Sequence, residues 1–384
     1  MSQALRLARR GCGLTSPNPM VGALLVKGNQ IIGRGWHRRA GLPHAEIEAI
    51  RDALYRGRIS PGANLYVTLE PCCTNGRTPP CTDAIIACGI KKVIIGATDP
   101  NPQHSGRAFS ILKQASIEVI HGILENECTR LNEAFNHWIT RHTPLVTVKA
   151  AMTLDGKLAT ASGKSKWITG KLARRYGMRL RQQADAILVG INTILADNPS
   201  LTIRGFRRGN SDGKQLRRIV LDAMARTPLH AKVVNDDQRE LTTIVVSKSA
   251  PQLRISALKK RVNILVAPSV DVPMDHLDNL RSASRKRFLD LSFVLRRLGT
   301  QNITNLLVEG GGEVNASFIS QGLAHRIAFF YAPKILGGRD SVRALSGEGV
   351  RSLQEAPRLD DVKWHRLGPD LLLTAHIPGG ERKL

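Results

Sequence analysis

The chain reads as α/β throughout: a three-layer α/β domain over residues 1–143, then a second α/β domain with a mixed sheet over 144–384. Three observations carry this reading. At 384 residues the chain exceeds what one hydrophobic core usually covers. β-rich runs alternate with helical periodicity along nearly its whole length. At "RHTPLVTVKAAMTLDGKLA" a helical stretch gives way to a new strand, which sets the boundary near residue 143.

Residues 2–11 form a short amphipathic helix, and "MVGALLVKGNQIIGRGWH" gives two β-rich runs around a Lys-Gly-Asn turn, a hairpin pattern. "PHAEIEAIRDAL" is a helix opened by Pro43, and "ANLYVTLEP" is a strand stopped by Pro71. The helix "CTDAIIACG", the strand "KKVIIGATDP", a helix over 106–115, the strand "IEVIHGI" and a helix near 125–140 complete the first domain. The second contains strand 145–151, helix 171–183 and the strands "AILVGINTIL", "RRIVLDAM", "LTTIVVS" and "VNILVAP". Helix 288–298, "NITNLLVEGGG", helix 313–321, "RIAFFYAPKIL" and "LLLTAHI" follow. Two polar connections, 204–218 and "SVDVPMDHLDNLRSASRKR", interrupt the alternation.

Composition narrows the class. An apolar fraction of 42% with 23% charged residues is ordinary for a globular protein, and no run is apolar enough to span a bilayer. No apolar segment follows Arg9 and Arg10, so a secretory signal is not expected. Six cysteines in a chain this long do not make a disulfide scaffold, and a reducing cytoplasm fits them better. The formal charge of +25 is uneven, with 17 Lys/Arg against 10 Asp/Glu in residues 1–143 and 39 against 21 beyond. Such an excess points to phosphates, in nucleic acid or in small ligands. With four Trp, four Tyr and eight Phe and no basic tract interleaved with them, a stacking platform for single strands is not expected.

The chemistry-bearing motif of the first domain is "PHAEIEA" together with "TLEPCCTNGRTPPC". His44 begins a helix, Cys72 ends a strand and Cys81 begins another helix. An imidazole and two thiolates fill three places of a tetrahedral zinc site and leave the fourth for water. Glu46, too close along the helix to ligate beside His44, is left to move protons. The H-x-E and P-C…C arrangement is the signature of hydrolytic deaminases acting on amidine-like carbons. Cys73, adjacent to Cys72, points elsewhere and is a bystander. Cys12, Cys88 and Cys128 have no partners at metal spacing.

"SPNPMVGALLV", "GWH" before "PHAE", "YVTLEPC", "GRTPPCTDAI" and "DPNP" together resemble the riboflavin-biosynthesis bifunctional pyrimidine deaminase/reductase family. Nucleic-acid-editing relatives are the alternative, but these usually have a two-residue gap between their cysteines. The resemblance implies a cytidine-deaminase-like first domain, with Arg77 holding the ribose phosphate and Asn18, His37 and Asn101 as substrate contacts. Many relatives have Ser-His where this chain has Cys73-Thr74, so Thr74 offers the phosphate a hydrogen bond without a charge.

In the second domain "LLVEGGGEVNASF" is a strand running into three glycines and a helix, a weak pyrophosphate-binding pattern by itself. "MTLDGKLATASGKSKWIT" and "ILVGINTILADNPSLTIR" resemble the reductase half of the same family, which implies a dihydrofolate-reductase-like fold and NADPH. By motif position Ala151, Trp167, Thr193, Asp197 and the segment Gly311, Gly312, Glu313, Val314, Asn315, Ala316 and Ser317 would line the cofactor. Ser165, Arg181, Leu201, Arg204 and Glu309 would hold the substrate. Two forked guanidinium groups and a hydroxyl are a sensible phosphate set. Glu309, at a strand end beside a glycine turn, is the expected proton shuttle for reduction, and Asp155 a turn residue. Lys248 is the candidate for the 2′-phosphate of the cofactor.

The expectation is therefore an enzyme that deaminates a small phosphorylated pyrimidine with zinc and reduces its ribosyl side chain with NADPH. It would act in the cytoplasm as a homo-oligomer, with no nucleic-acid or membrane partner.

Overall fold

The computed structural model describes residues 1–74, 79–205, 214–271 and 287–378. Arg77 and the centres of both polar connections lie outside them. The chain divides into two compact units, Met1–Thr143 and Pro144–Leu384.

The first unit contains α1 (Ser2–Ala8), β1 (Gly22–Lys27), β2 (Gln30–Trp36), α2 (Ala45–Tyr55), β3 (Asn64–Leu69), α3 (Cys81–Ala87) and β4 (Lys92–Ala97), followed by α4 (Arg107–Gln114), β5 (Glu118–Ile120), α5 (Glu125–Leu131) and α6 (Glu133–Arg141). Its five strands lie in the order β2-β1-β3-β4-β5, with β1 antiparallel to both neighbours and β3, β4 and β5 parallel. Alternation along β1 sends Ala23 and Leu25 to a core shared with α2, α3 and α4, and Leu24 to the opposite face beneath α1. These are the three layers. The helix read near 125–140 is two helices, α5 and α6, separated at Asn132. The buried Asn132 side chain accepts from the Met20 backbone N–H (2.8 Å) and donates to its carbonyl (2.9 Å). That pairing ties the helix break to the "PNPM" segment.

The second unit contains β6 (Leu145–Thr153), β7 (Lys157–Ala159), α7 (Lys171–Gln183), β8 (Ala186–Gly190), α8 (Ile191–Asp197), β9 (Arg217–Leu221), α9 (Lys232–Asn235), β10 (Thr242–Ser247), α10 (Gln252–Lys259), β11 (Asn263–Ala267) and β12 (Ser269–Asp271). It continues with β13 (Arg287–Leu289), α11 (Leu291–Gly299), β14 (Asn305–Val308), α12 (Gly312–Ser320), β15 (Arg326–Ala332), β16 (Val342–Arg343), β17 (Asp360–Leu367) and β18 (Asp370–His376). The main sheet runs β11-β10-β9-β8-β14-β6-β15-β18-β17. From β11 to β15 every pairing is parallel, and β18 and β17 add an antiparallel edge. Helices α11 and α12 cover one face, and α8, α9 and α10 the other.

Helices α9 and α10 and the short strands β7, β12, β13 and β16 have no counterpart in the sequence reading, and three further elements differ from it. "AILVGINTIL" leaves the sheet at Gly190 and becomes α8; Gly190 itself packs against Val314, where a Cβ would meet Val314 Cγ2 at 2.8 Å. The helix expected from residue 288 begins at Leu291, where the Asp290 side chain accepts from the Phe293 N–H (2.9 Å). Strand β17 has no expected counterpart because nearly all of it is exposed, so it shows no apolar alternation.

Close approach of α2 to β2 positions the histidine at the start of that helix. A Cβ on Gly33 would overlap the Ala49 carbonyl, and one on Gly35 the Ala45 carbonyl. Gly35→Ala is expected to destabilise the protein by about 1–3 kcal/mol through overpacking. Gly177→Ala, inside α7 with no atom within 4 Å of the added carbon, should stabilise it by about 0.4–1 kcal/mol. Urea unfolding of the two variants beside the parent distinguishes these outcomes.

Candidate functional site

Two centres emerge, one in each unit. In the first, His44 is the residue before α2, Cys72 follows β3 and Cys81 opens α3. Their ligand atoms all lie within 4.8 Å of one another. The His44 Nδ1 is 3.4 Å from the Cys72 sulfur and 3.3 Å from the Cys81 sulfur. Zinc–sulfur and zinc–nitrogen bonds of ordinary length at a tetrahedral angle would separate nitrogen and sulfur by about 3.5 Å, so the three groups fit zinc in both spacing and donor type. The Cys81 thiol donates to Cys72, which lowers the Cys72 pKa to about 4 and raises that of Cys81. The backbone N–H of Cys81 also donates to the Cys72 sulfur (3.3 Å). A cation binding here would replace the proton the two sulfurs share.

Glu46 is buried, and burial together with the nearby Cys72 raises its pKa to about 7. A carboxyl group in that range can both hold and release a proton near neutrality. His37 is buried too, and burial lowers its pKa. In the neutral ring Nδ1–H donates to the Pro43 carbonyl (3.1 Å) while Nε2 accepts from the Asn18 amide (3.3 Å). His37 therefore orients Asn18, and its ring stands edge-on to His44 with centroids 5.4 Å apart. Asn101 lies in the turn after β4, where its side-chain oxygen accepts from the Gln103 N–H (3.0 Å).

The sequence reading missed Glu70. Buried just before Cys72, it accepts from the backbone N–H groups of Asp99 (3.1 Å), Gly106 (3.0 Å) and Ala108 (3.1 Å). It thereby holds the Asp99–Ala108 loop, which carries Asn101, against the end of β3. The signal was present in "LEP": a carboxylate at the end of an otherwise apolar strand needs donors.

The second centre is a cleft of about 980 Å³ at the carboxyl ends of β8, β9 and β14. Ser165, Arg181, Thr193, Asp197, Leu201, Glu309, Gly311, Gly312, Glu313, Val314 and Ser317, all expected site residues, line it. Asn315 does not, being fully buried with its amide donating to the Ala344 carbonyl (3.0 Å). Ala151, Arg204 and Ala316 are likewise outside the lining, and so is Trp167. Trp167 is 66% exposed, with the Arg174 guanidinium 4.6 Å from its ring. Gly310 lies against Val314, whereas a Cβ on Gly311 would meet nothing within 4 Å. The backbone at Gly311, just before α12, is thus open to an approaching ligand, which suits the phosphates of a dinucleotide.

Within the cleft, Arg181 grips Glu309 through two parallel hydrogen bonds, Nε to Oε1 (2.9 Å) and Nη2 to Oε2 (2.8 Å). Its Nη1 donates to the Thr202 carbonyl (2.9 Å). Lys149 on β6, also missed by the sequence reading, places Nζ 3.7 Å from Glu309 Oε2. Burial alone would raise the pKa of Glu309, but Lys149 and Arg181 outweigh it and hold it at about 2. That is at odds with Glu309 as a proton shuttle.

A family model described as the RibD C-terminal domain matches residues 144–373, and one for the cytidine and deoxycytidylate deaminase zinc-binding region matches residues 1–97. The chain is 42% identical to the riboflavin biosynthesis protein RibD of Aquifex aeolicus, over 97% of this chain and 96% of the relative. It is 40% identical to that of Actinobacillus pleuropneumoniae, over 97% and 93%. Among solved structures it resembles Acinetobacter baumannii RibD (TM-score 0.83, 32% identity, 98% and 97% covered). It also resembles a Thermotoga maritima diaminohydroxyphosphoribosylaminopyrimidine deaminase/5-amino-6-(5-phosphoribosylamino)uracil reductase (TM-score 0.80, 34% identity, 98% and 97% covered).

The depressed pKa of Glu309 makes stability depend on pH. The stabilisation is complete above the ordinary glutamate pKa of 4.5 and is lost as pH falls toward 2. Urea unfolding at stepped pH should show the parent losing stability more steeply over this window than Glu309→Gln.

Proposed function

This chain belongs to the RibD family of riboflavin biosynthesis, and from that premise we propose how its residues divide the work. It is a bifunctional enzyme, a zinc-dependent deaminase and an NADPH-dependent reductase. The first unit, residues 1–143, carries the deaminase and the second, 144–384, the reductase. The substrate of the first reaction is 2,5-diamino-6-(5-phosphoribosylamino)pyrimidin-4-one, whose 2-amino group is hydrolysed. The second reaction reduces the ribosyl side chain of the product to ribityl. The observation that carries this reading is the convergence of His44, Cys72 and Cys81 beside the buried Glu46.

His44, Cys72 and Cys81 hold zinc, which when bound brings the pKa of water toward neutrality. Glu46 takes a proton from the attacking water and returns it to the departing amine. Asn18, fixed by His37, reads the edge of the pyrimidine, Asn101 closes the substrate from the loop that Glu70 holds, and Arg77 binds the phosphate.

In the reductase Ser165, Arg181, Leu201 and Glu309, which line the cleft, hold the substrate, and Arg204, outside the lining, is not given that role. Thr193, Asp197 and the start of α12 hold NADPH, which when bound supplies the hydride. Opening the N-glycoside to an imine and reducing it needs a proton donor. Since Glu309 stays ionised, we assign that donor to the ammonium of Lys149, with Glu309 as the anchor for both Lys149 and Arg181.

No helix among the described residues is long and apolar enough to cross a membrane. None of the six cysteines is in a disulfide, in keeping with a reducing cytoplasm. The positive charge serves anionic ligands rather than nucleic acid. The exposed edge strand β17 is the surface through which a second copy would pair to form the homo-oligomer.

Metal analysis should find zinc retained in Cys73→Ser and lost in Cys72→Ser. Glu46→Gln is expected to keep zinc, lose deamination by about 10²–10⁴-fold and still reduce pre-deaminated substrate. Glu309→Gln and Lys149→Met should do the reverse. Product mass spectrometry reads both steps, and loss of both activities in any one variant would contradict independent sites.

A further inference from the structure

We propose that Arg226 is the residue that recognises the 2′-phosphate of the cofactor and so selects NADPH over NADH. The inference rests on the reading of the cleft as the NADPH site. In α/β folds that bind dinucleotides, the pyrophosphate lies at a glycine turn, and the adenosine ribose is read at the end of a strand further along the sheet. Here the glycine turn follows β14, and the sheet continues through β8 to β9. The turn after β9 reaches the same cleft through Ala223 and Arg226.

The groups at that strand end have roles suited to a phosphorylated ribose. An acidic side chain there would favour a free 2′-hydroxyl, and Asp222 occupies the position, but it is fully buried. Its Oδ2 accepts from the Thr227 N–H (2.7 Å) and hydroxyl (2.7 Å), so it shapes the turn instead of facing the cleft. Arg226 comes to the surface in its place, with a half-exposed side chain. Its Nε is 3.9 Å from Asp222 Oδ1, and its Nη2 donates to Asn192 Oδ1 (3.4 Å) on α8, itself a lining residue. The guanidinium is thus held at its base and along one edge, which leaves donors for a phosphate.

The other cleft arginines fit less well. Arg181 is committed to Glu309 and Thr202. Arg339 and Arg343 belong to the segment that covers the start of α12, where the Arg343 carbonyl lies against Gly312, so they are placed for the pyrophosphate common to both cofactors. Lys248, the sequence-based candidate, is exposed and does not line the cleft.

Calorimetric titration of the full-length protein with NADPH, NADH and 2′,5′-ADP tests the assignment. Arg226→Gln should weaken NADPH and 2′,5′-ADP by roughly 10–100-fold, as expected for one charge-assisted phosphate contact, and leave NADH unchanged. Arg343→Gln should weaken NADPH and NADH alike. An Arg226→Gln protein that keeps its preference for NADPH, or loses both cofactors equally with its melting temperature intact, overturns the assignment. So does selective loss of NADPH in Arg343→Gln. A parent protein that binds none of the three overturns instead the cofactor reading on which the assignment rests.

Discussion

Parallel strands must all end on the same edge of their sheet, and that constraint decides where both centres lie. In the first unit β3 and β4 run parallel, so Glu70 and Cys72 after β3 and Asp99 and Asn101 after β4 come out side by side. In the second, Gly190 at the end of β8, Asp222 after β9 and Glu309 after β14 do the same. At these exits the backbone leaves the ladder with N–H groups to spare, and each helix that follows begins beside its neighbour's strand end. The antiparallel additions, β1 and β2 in one unit and β17 and β18 in the other, contribute sheet area and, in the first unit, a surface for α2.

Much of this was legible because the residues carry their own geometry. The candidate triad could be read from residue type and motif, since His44, Cys72 and Cys81 place an imidazole and two thiols at helix starts and a strand end, and among the described residues they form the one such group whose ligand atoms converge. Glycines and alanines that let α2 approach β2 were visible as letters but not as a contact, because packing across a sheet leaves no local pattern. The same is true of Asn132, whose partner Met20 is more than a hundred positions away. Strand β17 lacked the apolar alternation on which strand assignment depends, and the passage from β8 to α8 was hidden by a β-branched run that continues past Gly190. Tertiary contacts decide such cases, and they lie outside any window of sequence.

Several side chains around the two centres, His37 and Asn315 among the expected ligand contacts and Glu70 outside them, hold other groups in place. His37 spends one nitrogen on Pro43 and the other on Asn18, so its effect on a substrate passes through the Asn18 amide. Asn315 is buried against Ala344 and fixes the segment that covers the start of α12. Glu70 holds a whole loop through three backbone donors. A catalytic group must keep its position within a fraction of an ångström, and side chains locked by a buried partner of this kind supply the rigidity.

The two buried glutamates show why residue type alone does not assign a role. Glu46 and Glu309 have the same side chain, and burial disfavours the charge on each. Around Glu46 the strongest neighbouring influence is the negative Cys72, which adds to burial and brings the carboxyl group to about 7. Around Glu309 two cations, Lys149 and Arg181, reverse the effect of burial and bring it to about 2. Near neutrality the first can exchange a proton in either direction, while the second carries none to give. Zinc bound at the triad would reduce the negative influence of Cys72 on Glu46, but burial, the larger cause, would remain. The same side chain is thus poised near neutrality in one centre and held ionised in the other, and it is the neighbouring charges, not burial, that separate the two.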